Sequence, residues 1–203
     1  MIKLFLKILF FILFVIITNF NLNSQTKEDI FNYFKDKLTK IETISFNFVS
    51  INDPNYKGYI IANKSNMFKM ALGDRILVCD GSSGWNYHLK QKLVVISDFS
   101  RTQSASLQNI FFNITQNYKP INLQSVLGTK NKNYNLLTLA SVNNPSETLE
   151  LSYDEKYNIT NIKFNIGKNS GNIKISNLKY NPKTNKDTFK FKLPKDVEEI
   201  DLR

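Results

Sequence analysis

What this chain lacks narrows its possibilities most. Cys79 is the only cysteine in 203 residues, so no internal disulfide can form and the fold must rest on its core. No cysteine follows the N-terminal apolar run, which excludes a lipid-anchored precursor because that modification needs a thiol there. The single histidine, His88, has no cysteine or second histidine with which to build a metal site. A Gly-rich phosphate loop is missing too, and Glu198, Glu199 and Asp201 read as a solvated tail, not as paired catalytic carboxylates. Ser82 or Ser83, His88 and Asp80 fall within one hairpin, local neighbours without the separately oriented roles that a Ser-His-Asp triad requires. Cys79 follows Ile76-Leu77-Val78 and reads as a small buried hydrophobe. Nothing calls for a metal or cofactor.

What is present begins with an export signal. Lys3 and Lys7 precede an apolar run from Ile8 to Ile17, and the polar residues Thr18, Asn19, Asn21, Asn23 and Ser24 follow. This order of basic, apolar and polar regions predicts a signal peptide over residues 1–24, cleaved after Ser24, with Leu22 and Ser24 at the positions a signal peptidase reads. An uncleaved anchor is the competing reading, since Phe20 and Leu22 lengthen the apolar stretch toward the roughly 20 residues of a span. Residues 25–203 then form one domain, large enough for a substantial core. Loss of Lys3 and Lys7 lowers the formal charge of +10 to +8. An excess of that size favours encounter with anionic surfaces. Nucleic acid is excluded as a partner by the export signal and by lysines that are scattered without a recognised motif.

The mature chain opens with a helix. Thr26 can cap it with Asp29 three residues on, and Ile30, Phe31, Phe34, Leu38 and Ile41 form an apolar stripe at helical spacing. After Lys40 the period falls to two. Ile44, Phe46 and Phe48 alternate with Ser45 and Asn47, and short strands follow at Met67–Leu72, Arg75–Cys79, Gly84–His88 and Leu93–Ser97. Gly73 and Asp80-Gly81 supply hairpin turns. Between Asp98 and Asn117 the alternation breaks. Leu107, Ile110, Phe111 and Ile114 there fall at i, i+3, i+4 and i+7, a short amphipathic helix that reads equally as a lid over a cavity or a plug in a barrel end. Strands resume from Ile121 and continue to a predicted last strand, Thr188–Leu193. The class is mainly β: about ten or eleven strands that fit a strongly curved antiparallel sheet or a barrel, with an N-terminal helix and a second, inserted helix.

Sixteen Phe and nine Tyr residues supply ample aromatic surface, mostly as core. The collinear order of signal peptide, amphipathic helix, Phe46 and Phe48, Gly58-Tyr59-Ile60-Ile61, Lys64-Ser65-Asn66-Met67-Phe68-Lys69-Met70, Asp80-Gly81 with Trp85 and Tyr87, and Phe189-Lys190-Phe191-Lys192-Leu193-Pro194 resembles the LolA family of periplasmic lipoprotein carriers. The resemblance implies an open barrel that shields acyl chains without covalent chemistry or cofactor. It implies lipoproteins as cargo, an inner-membrane ABC exporter of the Lol type as donor, an outer-membrane receptor as acceptor where one exists, and a monomer in the periplasm. Phe46, Phe48, Phe68, Met70, Trp85 and Tyr87 are then expected at the acyl cavity and its entrance. Residues 103–114, with Leu107, Ile110, Phe111 and Ile114, correspond to the lid. Lys64 stands where better-studied members carry the arginine that latches it, and Ser65 where they carry proline. An ammonium has fewer donors on a more flexible stem than a guanidinium, so a Lys64 latch should be looser. Two alternatives are a periplasmic lipid or lipoprotein sensor of the same fold and a small exported hydrolase.

Overall fold

The computed structural model describes residues 25–98, 107–127 and 133–203. The predicted signal peptide and residues 103–106 of the expected lid lie outside them.

Helix α1, Lys27–Thr39, starts at the predicted capping box: the Thr26 hydroxyl accepts the Asp29 N–H at 3.2 Å, and the Asp29 carboxylate accepts the Thr26 N–H at 3.0 Å. Its stripe of Ile30, Phe34 and Leu38 is buried. Strands β1 (Thr43–Ser50), β2 (Lys57–Asn63), β3 (Met67–Leu72), β4 (Arg75–Asp80), β5 (Ser83–His88) and β6 (Leu93–Asp98) form an antiparallel meander. Helix α2, Leu107–Asn117, leads into a second meander of β7 (Tyr118–Leu127), β8 (Asn133–Ser141), β9 (Thr148–Tyr153), β10 (Ile159–Ile166) and β11 (Asn169–Tyr180). A short strand, β12 (Glu198–Asp201), ends the series.

Among the described residues, all twelve strands belong to one sheet in the order β12-β6-β5-β4-β3-β2-β1-β11-β10-β9-β8-β7, with β7 and β12 at its two edges. The expected open barrel is present. Two details depart from expectation. Thr188–Leu193 is not a strand: its alternating Phe189 and Phe191 pack onto the sheet while its backbone forms turns, such as Lys190 N–H to Asp187 carbonyl at 3.2 Å. The expected solvated tail has all four residues of Glu198–Asp201 exposed, yet its backbone pairs as β12, parallel to β6. Apolar alternation therefore reported burial in the first case and missed a ladder in the second.

The sheet buries residues on both faces. Its inner face carries both helices and the main core, including Ile44, Phe46, Phe48, Ile60, Phe68, Cys79, Leu137, Leu149, Ile162 and Ile175. Its outer face has a smaller apolar layer over β3 to β6, where Val78, Val94, Ile96 and Phe189 are buried. Pro120 and a register shift between Pro120 and Asn122 interrupt the β7 edge, where the Lys27 ammonium bonds to the Ile121 carbonyl at 3.2 Å.

Gly58 permits the close approach of β2 to β3. A Cβ there would lie 2.1 Å from the Ala71 carbonyl oxygen and 2.9 Å from the Phe48 ring. Backbone must then move, so Gly58→Ala is expected to destabilise the fold by about 2–3 kcal/mol, read from urea unfolding. A change under about 0.5 kcal/mol would show that β2 and β3 separate freely.

Under α1, Lys37 donates to the Tyr157 carbonyl at 3.2 Å and lies 4.8 Å above the Tyr180 ring. Burial, reinforced by Tyr157, pushes the Tyr153 phenol up to about 12, and burial with Tyr33 and Asp154 pushes Tyr180 up to about 12 as well. Both are neutral in the fold and titrate at an ordinary 10.0 when unfolded. Their contribution is thus full below pH 10 and lost as pH rises through about 12. Unfolding measured at stepped pH should show stability level up to about 10 and falling toward 12, less steeply in Tyr180→Phe. Because the Tyr180 hydroxyl is buried without a hydrogen-bond partner among the described residues, that substitution should also be neutral or stabilising by up to about 1 kcal/mol at pH 7.

Candidate functional site

At the centre of the inner face, β1 places Phe46 and Phe48 two residues apart, hence on one side of the sheet, with ring centroids 6.4 Å apart. Both are fully buried. Helix α2 lays Phe111 on Phe46 at 5.0 Å and buries Ile114 in the same cluster. Leu107 and Ile110 lie in the first turn of α2, and their side chains fall outside the described ones. On β3, Phe68 pairs with Ala62 and Cys79, and Met70 with Ile60 and Leu77, so both join the inner face. Phe68 is 9% exposed, while Met70, Leu72 and Leu77 border the core half-buried. Phe46, Phe48, Phe68, Met70, Phe111 and Ile114 are thus brought together.

Trp85 and Tyr87 are not among them. Gly84 pairs with the inner-face Cys79, so period two sends Trp85 and Tyr87 to the outer face, opposite Val78 and Ile76. There the Phe191 ring stacks on Trp85 at 6.0 Å with 14° between planes, and meets Tyr87 edge-on at 6.0 Å. Their expected place at the acyl cavity is corrected accordingly: they anchor the segment before β12.

The residue that β5 does present inward is Asn86, between Leu77 and Val95. Its side-chain oxygen is buried without a hydrogen-bond partner among the described residues. This is costly in an apolar setting unless a ligand donor completes it. Sequence reasoning passed it over for the aromatic residues on either side. Counting alternate residues from Cys79 across the Asp80-Gly81 turn would have found it.

Lys64 lies in the turn after β2. Among the described residues its ammonium bonds to the Thr39 carbonyl, at the C-terminal end of α1, and to the Glu42 carboxylate at 3.0 Å. A cation there complements the negative end of the helix. The ion pair itself is exposed and contributes little.

The catalytic candidates separate. Asp80 accepts the N–H groups of Ser82 and Ser83 at 3.0 and 2.9 Å. Burial pushes its carboxyl up, but these donors outweigh burial and hold it below the usual range. His88 stands at the other end of β5 from Ser83, about 17 Å away at ~3.4 Å per residue. No triad forms from that set. Burial pushes the Cys79 thiol up, against an opposing Gly81 N–H donor at 3.3 Å and with Asp80 adding to the rise, consistent with a packed, weakly reactive sulfur. Among the described residues, no three His, Cys, Asp or Glu side chains cluster to hold a metal, and no helix is long and apolar enough to cross a membrane. The arrangement offers apolar contact and one unpaired amide oxygen.

Structural comparison finds the same fold in an uncharacterized conserved protein from Thermus thermophilus, 14% identical, with a TM-score of 0.52 over 84% of this chain and 98% of that one. More distant are a LolA superfamily protein, NE2245, from Nitrosomonas europaea, with 12% identity and a TM-score of 0.35 over 78% and 97% of the two chains, and LprF from Mycobacterium bovis, with 7% and 0.41 over 84% and 97%. No curated protein matches the sequence. The family model for the outer membrane lipoprotein carrier protein LolA matches residues 39–192, from the end of α1 to the segment stacked on Trp85. That span is well over half of the chain and takes in the whole inner face, and the protein therefore belongs to the LolA family.

Proposed function

We propose that this protein is a periplasmic carrier that holds the acyl chains of lipoproteins against the inner face of its sheet. It receives them from an inner-membrane ABC exporter of the Lol type and delivers them toward the outer membrane, to a receptor where one exists. It acts as a monomer, without cofactor, and nucleic acid is not among its partners. The observation that carries this reading is the seat of Phe111 on Phe46: an amphipathic helix covers the buried phenylalanines at the centre of the inner face.

The physics of such a cover suits reversible binding. Swinging α2 away exposes Phe46 and its own Phe111 and Ile114, which an acyl chain can cover again at about 0.8 kcal/mol per buried methylene. Apolar contact is exchanged for apolar contact. The empty protein stays closed, and cargo can still displace the helix. The half-buried Met70, Leu72 and Leu77 extend the apolar face beyond Phe68 and form the natural path for a chain to enter. Asn86, beside Leu77, gives a cargo amide N–H a partner at the end of that path.

The direct test is native mass spectrometry of the protein purified from the periplasm of its own host, with bound lipid extracted and identified. Bound acylated lipoprotein supports the carrier. A ligand-free protein that takes up no fluorescent acyl probe would reject it in favour of a sensor or a hydrolase. Phe68→Glu is expected to weaken acyl-probe binding at least roughly tenfold, because an ionised carboxylate meets hydrocarbon, and to lower the melting temperature as well, so binding is measured at a temperature where circular dichroism shows the variant folded. Undiminished uptake by that variant would remove Phe68 from the entrance. Phe111→Ala should raise the binding of a hydrophobic dye to the empty protein, by loosening α2 from Phe46.

A further inference from the structure

The segment between β11 and β12 runs along the outer face as a strap. Its alternation is used twice. Phe189 is buried and Phe191 stacks on Trp85, while Lys190 and Lys192 between and after them are 63% and 80% exposed at their side chains. From Asn181 to Val197 the strap holds five lysines and two aspartates, Asp187 and Asp196, a net +3, and all five lysines are exposed. Asp187 lies 3.3 Å from the Lys190 ammonium and 4.0 Å from that of Lys192, so it offsets one charge of the set. Lys69, from β3, joins Lys190 and Lys192 around an opening of about 320 Å³ between strap and sheet, floored by Ile76, Val78 and Tyr87. Leu193, next to Lys192, is 53% exposed.

We infer that this strap is a docking surface for an anionic lipid bilayer. Three lysines, with Asp187 offsetting one of them, border an apolar opening, and an exposed leucine stands beside Lys192. That combination matches a headgroup layer, where phosphates meet the ammonium groups and the leucine reaches the acyl boundary. The stacking of Phe191 on Trp85 holds the charges on a fixed platform, so ordering them on binding costs little. The surface lies on the face of the sheet opposite the proposed cargo site, and its function does not depend on that site. Docking through the outer face would hold the inner face and α2 clear of the headgroups.

The experiment is co-sedimentation of the protein with phosphatidylcholine vesicles with and without phosphatidylglycerol, at low and at raised salt. Binding is expected only with phosphatidylglycerol and should weaken as salt rises. Combined Lys69→Gln, Lys190→Gln and Lys192→Gln should lower the partition coefficient by roughly a hundredfold, since three surface cations are lost. The matching triple arginine variant should retain binding, and thermal melting should show all three proteins folded. No binding by the native chain, or equal binding by the glutamine variant, overturns the proposal. Capture of an acidic protein without vesicle affinity would overturn it too, assigning the lysines to a protein partner. Acyl-probe uptake, measured alongside, reports separately on the carrier function.

Discussion

Two meanders, each held by pairings close in sequence, become one sheet only where β1 meets β11. Ile44, Phe46 and Phe48 at that junction are fully buried, and Phe48 lies opposite Ile175 and Gly58 at once. Everything on the inner face refers back to β1. Helix α2, which belongs to neither half of the sheet, seats its Phe111 on Phe46. The N-terminal helix is tied in at both ends, by Lys64 at the Thr39 carbonyl and by Tyr157, whose hydroxyl donates to Gln25 at 2.9 Å. Loss of a β1 phenylalanine to alanine would cost about 3–5 kcal/mol and remove the contact that places α2.

Much of this could be read directly from the residues. The capping box at Thr26 and the helical stripe located α1, because a cap and a 3.6-residue period are local signals. Gly73 at φ +58° and Gly81 at φ +100° fell at the predicted hairpin turns. The end of the chain was misread for a reason of equal interest. Alternating Phe189 and Phe191 state only that one side of an extended segment is buried, and the ladder at β12 leaves no trace in side chains that are all exposed.

The inner site was half legible. Phe46, Phe48, Phe68 and Met70, expected together from the family resemblance, share one face because neighbouring strands pair Phe46 with Ile60, Ile60 with Met70, and Ala62 with Phe68. Trp85 and Tyr87, expected beside them from the same resemblance, lie on the opposite face, because parity and not aromatic character decides which way a strand residue points. The Asp80-Gly81 turn carries the pairing from Cys79 to Gly84, and that register decides the matter. Asn86 was overlooked for the opposite reason, since a single amide in a strand looks like a solvated position until its neighbours are known. A two-sided sheet leaves both faces with hydrophobic demands. One is met here by helices and the other by the strap.

The edges of an open sheet expose unpaired backbone that another molecule can extend. Here β7 carries Pro120, which has no N–H to offer, a register shift beside it, and the Lys27 ammonium already on the Ile121 carbonyl. At the other end β12 is four residues long and presents Glu198, Glu199 and Asp201. Neither border is a good template for strand addition. An open sheet with an apolar interior would otherwise polymerise edge to edge as its concentration rises. This chain can remain dispersed in a crowded compartment while its sheet stays open.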